Sequence, residues 1–94
     1  MEGVARHKVS GGKLVTVKVS YSEKIERIQI LGDFFLHPES SLSLIEQALI
    51  GISASSTSEE IAQKIFDVVK SNSIEMIGVT PESIAQTVLM AVKR

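Results

Sequence analysis

Leu14-Val15-Thr16-Val17-Lys18-Val19-Ser20-Tyr21 alternates between two kinds of side chain. Val15, Val17, Val19 and Tyr21 point one way and Leu14, Thr16, Lys18 and Ser20 the other, so the run reads as a half-buried strand over 13–21. Just upstream, Val9-Ser10-Gly11-Gly12-Lys13 is a turn with two residues free to adopt positive φ. It folds a first strand, predicted at 4–9, back onto the second. Two registers are open: a two-residue Gly11-Gly12 loop would pair Val9 with Leu14, and a three-residue loop would pair Val9 with Lys13. Downstream, the polar turn Ser22–Lys24 leads into a third strand predicted at 25–35, with Ile28 and Ile30 on one face. Three consecutive strands joined by short turns make an antiparallel meander.

The period then changes. Leu42, Ile45, Leu49 and Ile52 recur at helical spacing, with Pro38 suited to the first helical position, Glu39 to the first turn and Gly51 to the stop. This predicts a helix at 38–50. Thr57 and Glu60 form a capping box ahead of Ile61, Ile65, Val68 and Val69, predicting a helix at 58–71. Glu75–Val79 is a short strand or an extended link. Thr80-Pro81-Glu82 then opens a last helix at 81–93, marked by Ile84, Val88, Leu89 and Val92. The expected core is Val15, Val17, Ile28, Ile30, Leu42, Ile45, Leu49, Ile61, Ile65, Val68, Val88 and Leu89. The fold class is α+β: a three-stranded antiparallel sheet followed by three helices packed on one face, with 1–94 forming one domain. The other face of the sheet is then solvated or covered by a partner.

Composition narrows the function. A chain of 94 residues buries only about two-thirds of its unfolded surface, enough for one core. Hydrophobic residues at 44% and charged residues at 22% are those of a globular protein rather than a disordered one. No apolar run reaches the roughly 18 residues of a membrane helix, and the opening Met1-Glu2-Gly3 has no apolar stretch of a secretory leader behind it. With no cysteine, disulfide frameworks and thiol chemistry are excluded, and a cytoplasmic location is expected. The net charge of −1 argues against binding nucleic acid through phosphates. The charge is nevertheless uneven. Residues 1–20 carry Arg6, Lys8, Lys13 and Lys18 against Glu2 alone, whereas 38–94 carry seven acids against four bases.

No complete active site can be assembled. His7 and His37 stand thirty residues apart with no second ligand at metal spacing from either. Gly11-Gly12-Lys13 shares a Gly-Lys pair with nucleotide loops but lies in a hairpin, not between strand and helix. Tyr21, Phe34, Phe35 and Phe66 are the only aromatics, too few for a base-stacking platform. Two segments carry the remaining chemistry. In His7-Lys8-Val9-Ser10-Gly11-Gly12-Lys13, glycines let backbone N–H groups approach an anion and a lysine supplies charge, although a plain turn with a solvated flank explains the same residues. In Asp33-Phe34-Phe35-Leu36-His37-Pro38-Glu39, adjacent phenylalanines of an extended chain point opposite ways. If one faces the core, the other faces a partner; Asp33 and His37 suit turn and helix caps better than catalysis.

Lys8-Val9-Ser10-Gly11-Gly12-Lys13-Leu14-Val15, then Ile30-Leu31-Gly32-Asp33-Phe34-Phe35-Leu36-His37-Pro38-Glu39, then Leu49-Ile50-Gly51, resemble the accessory domain of lipoate–protein ligases. Ile77-Gly78-Val79-Thr80-Pro81-Glu82-Ser83-Ile84-Ala85 is similar to that family's last helix start. The resemblance runs through nearly the whole chain in order, and Gly-Asp-Phe-Phe is its most specific part. It implies a separate small subunit of a two-chain ligase, required with a catalytic chain for ATP-dependent activation of lipoate to lipoyl-AMP. A lysine of an acceptor protein then attacks the acyl group. It further implies that ATP, Mg and lipoate bind the catalytic partner, that no cofactor binds this chain alone, and that it is not catalytic by itself. Lipoyl domains of 2-oxoacid dehydrogenases and the glycine cleavage H protein would be indirect partners, with no nucleic acid and no membrane. His7, Lys8, Gly11, Gly12, Lys13, Asp33, Phe34, Phe35 and His37 are the candidates for contact with an anion or the partner. The competing readings are a free-standing interaction or regulatory α+β domain without an enzyme partner, and a small ligand-binding domain.

Overall fold

The computed structural model describes residues 1–9, 11 and 13–93. Strands β1 (Glu2–Lys8), β2 (Leu14–Tyr21) and β3 (Ile25–Gly32) form an antiparallel sheet in the order β1-β2-β3. Lys8 pairs with Leu14, and the Val9 N–H donates to the Lys13 carbonyl at 2.8 Å, which selects the three-residue register of the first hairpin. The apolar face of β2 is as expected, with Val15, Val17, Val19 and Tyr21 buried opposite Ile25, Ile28 and Ile30 of β3; Thr16, on the other face, is buried as well. An irregularity at Ser20/Tyr21 lets both Ile25 and Ile28 face the core although they are three residues apart.

The third strand does not run to residue 35 as expected. It ends at Gly32, where a side chain would overlap the Leu14 carbonyl oxygen and stand 2.7 Å from Cδ2 of Phe34. The Phe34 ring takes the space that a side chain on Gly32 would fill, and the chain leaves the sheet there. It resumes as β4 (Phe35–His37), which pairs antiparallel with β5 (Glu75–Ile77), so a second, two-stranded sheet adds to the expected plan. The first helix, α1 (Ser41–Leu49), also starts later than predicted. Pro38 does not occupy its first position and Glu39 lies outside its first turn, because 38–40 form a turn in which the Ser41 N–H donates to the Pro38 carbonyl at 3.0 Å. His37 does not cap the helix: its backbone is held in β4, and Ser40 is the N-cap residue.

The other helix ends follow their sequence signals. Gly51 has φ +94, the left-handed conformation of a helix stop, and its N–H donates to Ile25 at 2.7 Å. The loop after α1 is thereby laced to the start of β3, with Ala54 bonded to Glu23 in the same way. In α2 (Ser58–Ser71) the capping box is complete: Glu60 N–H donates to Thr57 Oγ1 at 3.2 Å, and Thr57 N–H donates to Glu60 Oε1 at 2.9 Å. α3 (Pro81–Lys93) has Pro81 at its first position, with Thr80 and Ser83 bonded reciprocally at its start.

α3 lies on β1 and β2, α1 lies on β3, and α2 packs across α1 and α3. The helices therefore share one face of the three-stranded sheet. Val15, Val17, Ile30, Ile45, Leu49, Ile61, Ile65 and Val88 are fully buried between them. Leu42, Val68 and Leu89, expected inside, are only half-buried and pack on the margin of this cluster. The free side of β3 is covered in part by α1, since the Ile30 N–H donates to Glu46 Oε2 at 2.8 Å. A strand edge presents unpaired donors to other chains, and here a helix carboxylate takes one of them.

Ile45→Ala should lower the unfolding free energy by about 2–5 kcal/mol in urea titration, because the site is enclosed on all sides. Glu46→Ala should lower it by about 1–3 kcal/mol by leaving a strand donor without its charged acceptor, and Glu46→Gln should recover part of that.

Candidate functional site

The turn end of the first hairpin, the end of β3 and the β4–β5 pair meet at one end of the fold. The Asp33 N–H donates to the Leu14 carbonyl at 3.1 Å, which holds the Gly32-Asp33 segment beside the residue that follows Lys13. From there the extended chain sends its two phenylalanines opposite ways. Phe34 is half-buried over Gly32 and packs against the core, whereas Phe35 is 71% exposed. Phe35 pairs across the ladder with Ile77, itself 51% exposed, so one outward face of the small sheet carries both side chains. Leu36, the next residue of β4, is buried.

Lys13 reaches the same place. Gly78 follows Ile77 with φ +87, and a side chain there would stand 3.5 Å from Cγ and Cε of Lys13 and 3.6 Å from Cβ of Phe34. The lysine stem therefore runs beside Gly78 at ordinary packing distance, while the residue as a whole is exposed. A long cationic side chain that rests its methylenes on the protein and keeps its ammonium in water is partly ordered before any partner arrives.

Gly11 is exposed with φ +88 and open space around it; Gly12 lies outside the described residues. Lys8 is exposed on the face of the sheet that the helices leave uncovered. His37 is exposed and pairs with Glu75, two residues along β4 from Phe35 and on the same side. His7 stands apart from the cluster. It faces the helices, half-buried, with Nδ1 3.3 Å from Thr87 Oγ1 of α3. The Thr87 hydroxyl in turn donates to the Ser83 carbonyl at 2.8 Å. The structure thus groups Lys13, Asp33, Phe34 and Phe35. It adds Ile77 and Gly78, which the sequence reading left out because only the pairing of β4 with β5 brings them there.

The cluster is an exposed anchor surface rather than a cavity. Among the described residues, no three His, Asp or Glu side chains gather as metal coordination requires. A cleft of about 510 Å³ lies between α2 and α3, lined by Glu59, Ala62, Phe66, Glu82 and Gln86, and shares no residue with the cluster. Paired apolar side chains beside a lysine are suited to docking: aromatic anchors carry much of the energy of an interface, and a flanking cation sets orientation. The alternation of β4 supplies the test. Phe35→Ala should keep stability within about 0.5 kcal/mol of the parent. Leu36→Ala should cost about 2–5 kcal/mol, both read from urea midpoints. Equal losses in the two variants would mean that Phe35 is a core residue and not a surface anchor.

No protein-family model and no curated protein matches the sequence. Among solved structures, the chain matches one described as an archaeal lipoylation system, a bi-partite lipoate protein ligase and its E2 lipoyl domain from Thermoplasma acidophilum. The match has 30% identity and a TM-score of 0.77, and covers 94% of each chain.

Proposed function

The chain belongs to the bipartite lipoate protein ligase family, and on that premise we propose that it is the small accessory subunit, acting with a separate catalytic chain to activate lipoate. The observation that carries this reading is the mutual coverage. The match covers 94% of the matched chain as well as 94% of this one, so these residues correspond to nearly the whole of that small chain and not to a module within it. The ligase of that structure is described as bipartite, which leaves its other part to hold the remaining machinery. The α+β meander with three helices is the part this chain supplies.

In this reading the lipoate carboxylate attacks the α-phosphate of ATP in the catalytic chain, giving lipoyl-AMP and pyrophosphate. A lysine amine of an acceptor such as a lipoyl domain then attacks the acyl carbon, forming an amide and releasing AMP. The first step concentrates negative charge on phosphate oxygens, and positioned cations with exclusion of water favour it. The second step builds no charge on a leaving pyrophosphate. An accessory chain that brings a supported lysine and an apolar anchor to the catalytic chain helps the first step more than the second. Phe35 and Ile77 make the contact, and Lys13 faces the phosphate region or holds a loop of the catalytic chain closed over it. ATP, Mg and lipoate are all assigned to the catalytic chain.

The test reconstitutes both chains and follows each half-reaction. The catalytic chain alone should form little lipoyl-AMP from lipoate and ATP, and adding this chain should restore it. This chain alone should release no pyrophosphate. Lys13→Ala should reduce lipoyl-AMP formation by about tenfold or more, the loss expected for one charge stabilising a developing anion. Transfer from supplied lipoyl-AMP should change much less. If activation proceeds at the same rate with and without this chain, the subunit assignment is wrong. If both half-reactions fall together in the variant, Lys13 serves assembly.

A further inference from the structure

The face of the three-stranded sheet opposite the helices is uncovered, and its charge differs from that of the whole chain. The ladder places Val4, Lys18 and Gln29 in one row, Arg6, Thr16 and Leu31 in the next, and Glu2, Ser20 and Arg27 in a third. Arg6, Lys8, Lys18 and Arg27 are all exposed on this side, in a chain whose net charge is −1. The acids near it stand at its ends: Glu2, Asp33, and Glu26, which accepts from Ser22 Oγ at 2.9 Å. Val4 and Leu31 are 55% and 40% exposed among the cations. The face also has a shallow hollow of about 310 Å³ at Ser20, walled by Glu2, Val4, Lys18, Arg27 and Gln29, where two cations outnumber the one acid.

We propose that this outer sheet face is where the other chain of the ligase docks, with an acidic side chain of that chain seated in the hollow between Lys18 and Arg27. The inference rests on the subunit reading above and names the surface and chemistry of its contact. Charge complementarity selects an acidic partner. The interspersed Val4 and Leu31, and the acids at both ends, select a folded protein surface over a nucleic acid, which would need an unbroken cationic track for its phosphates. Size points the same way. Same-side residues from Lys8 to Glu2 span about 20 Å along the strand, and three strands span about 10 Å across. This is less than the roughly 800 Å² that a standard interface buries on each partner. Stable docking therefore extends past Leu14 to the adjoining end of the fold, where Lys13, Phe35 and Ile77 lie. The sheet face supplies orientation and the end of the fold supplies the apolar anchor.

The experiment measures association of the two reconstituted chains by calorimetry at low and raised salt. The Lys18→Glu/Arg27→Glu double variant should bind at least about tenfold more weakly at low salt, with a shallower dependence on salt. Lys64→Glu, on the exposed side of α2, should bind as the parent does. Urea unfolding of the double variant at parental stability excludes misfolding as the cause. A double variant that binds with parental affinity and parental salt dependence overturns the inference and leaves the subunit reading standing. If the parent chains do not associate and activation does not depend on this chain, the subunit reading fails and this inference falls with it. A short DNA duplex that competes with the other chain for the parent but not for the double variant would show the partner class to be wrong.

Discussion

The close approach of α3 to β1 is the constraint on which the helical layer depends. A side chain at Gly3 would overlap the backbone carbonyl of Ala91, so the helix can cross the strand at this depth only where the strand has none. Ala5, the next residue of β1 on the same side, is also small. Ile84, Ala85, Val88, Ala91 and Val92 of α3 are thereby buried over β1 and β2. α2 has its main contacts with α3 and α1, so its position is inherited from theirs. Further along β1, His7 bonds to Thr87 and Thr87 to Ser83, which fixes the helix along the strand direction as the glycine fixes its depth. Overpacking at such a contact displaces backbone, which yields less readily than a side chain rotamer.

That arrangement shows which parts of the fold were legible in the sequence. The alternation of Val15, Val17, Val19 and Tyr21 and the capping signals at Thr57 and Thr80 are local, and local periodicity and hydrogen-bond chemistry set them. β4 and β5 were not legible as a pair. Each is three residues long, and the ladder joins segments almost forty residues apart. Residues 33–38 also carry two conflicting signals, apolar residues that extend a strand and a proline that starts a helix. Tertiary pairing resolved the conflict by breaking the strand at Gly32 and delaying the helix to Ser41. The hairpin register was open because glycines tolerate either loop length, and the ladder of β1 on β2 decided it.

The candidate surface was partly legible for the same reason. Successive residues of an extended chain point apart, so one of Phe34 and Phe35 had to face outward; which one depends on Gly32, whose missing side chain gives the Phe34 ring its place. His7 reads in sequence as part of the basic hairpin, but the parity of β1 turns it toward α3 while Arg6 and Lys8 stay outside. Ile77 and Gly78 carry no local mark of function. Their role at the surface comes from β4 opposite and from the Lys13 stem alongside.

The polarity of the domain follows from how its elements are terminated. Helix N-termini favour carboxylates, and α2 and α3 open with Glu59, Glu60 and Glu82, which places negative charge on the helical layer. The sheet has no such requirement, and lysine and arginine on its outer face discourage pairing with other sheets. The helix starts thus carry acids while cations predominate on the outer sheet face, in a chain whose net charge is only −1. A small domain built this way has a direction in an electric field. An acidic partner draws its sheet side inward during the encounter, before any apolar contact forms. The orientation presents Lys13, Phe35 and Ile77 at the edge of the arriving face, where burial of the two apolar side chains can hold what the charges have aligned. Net charge alone would not reveal this, because the helix caps and the sheet face nearly cancel in the sum.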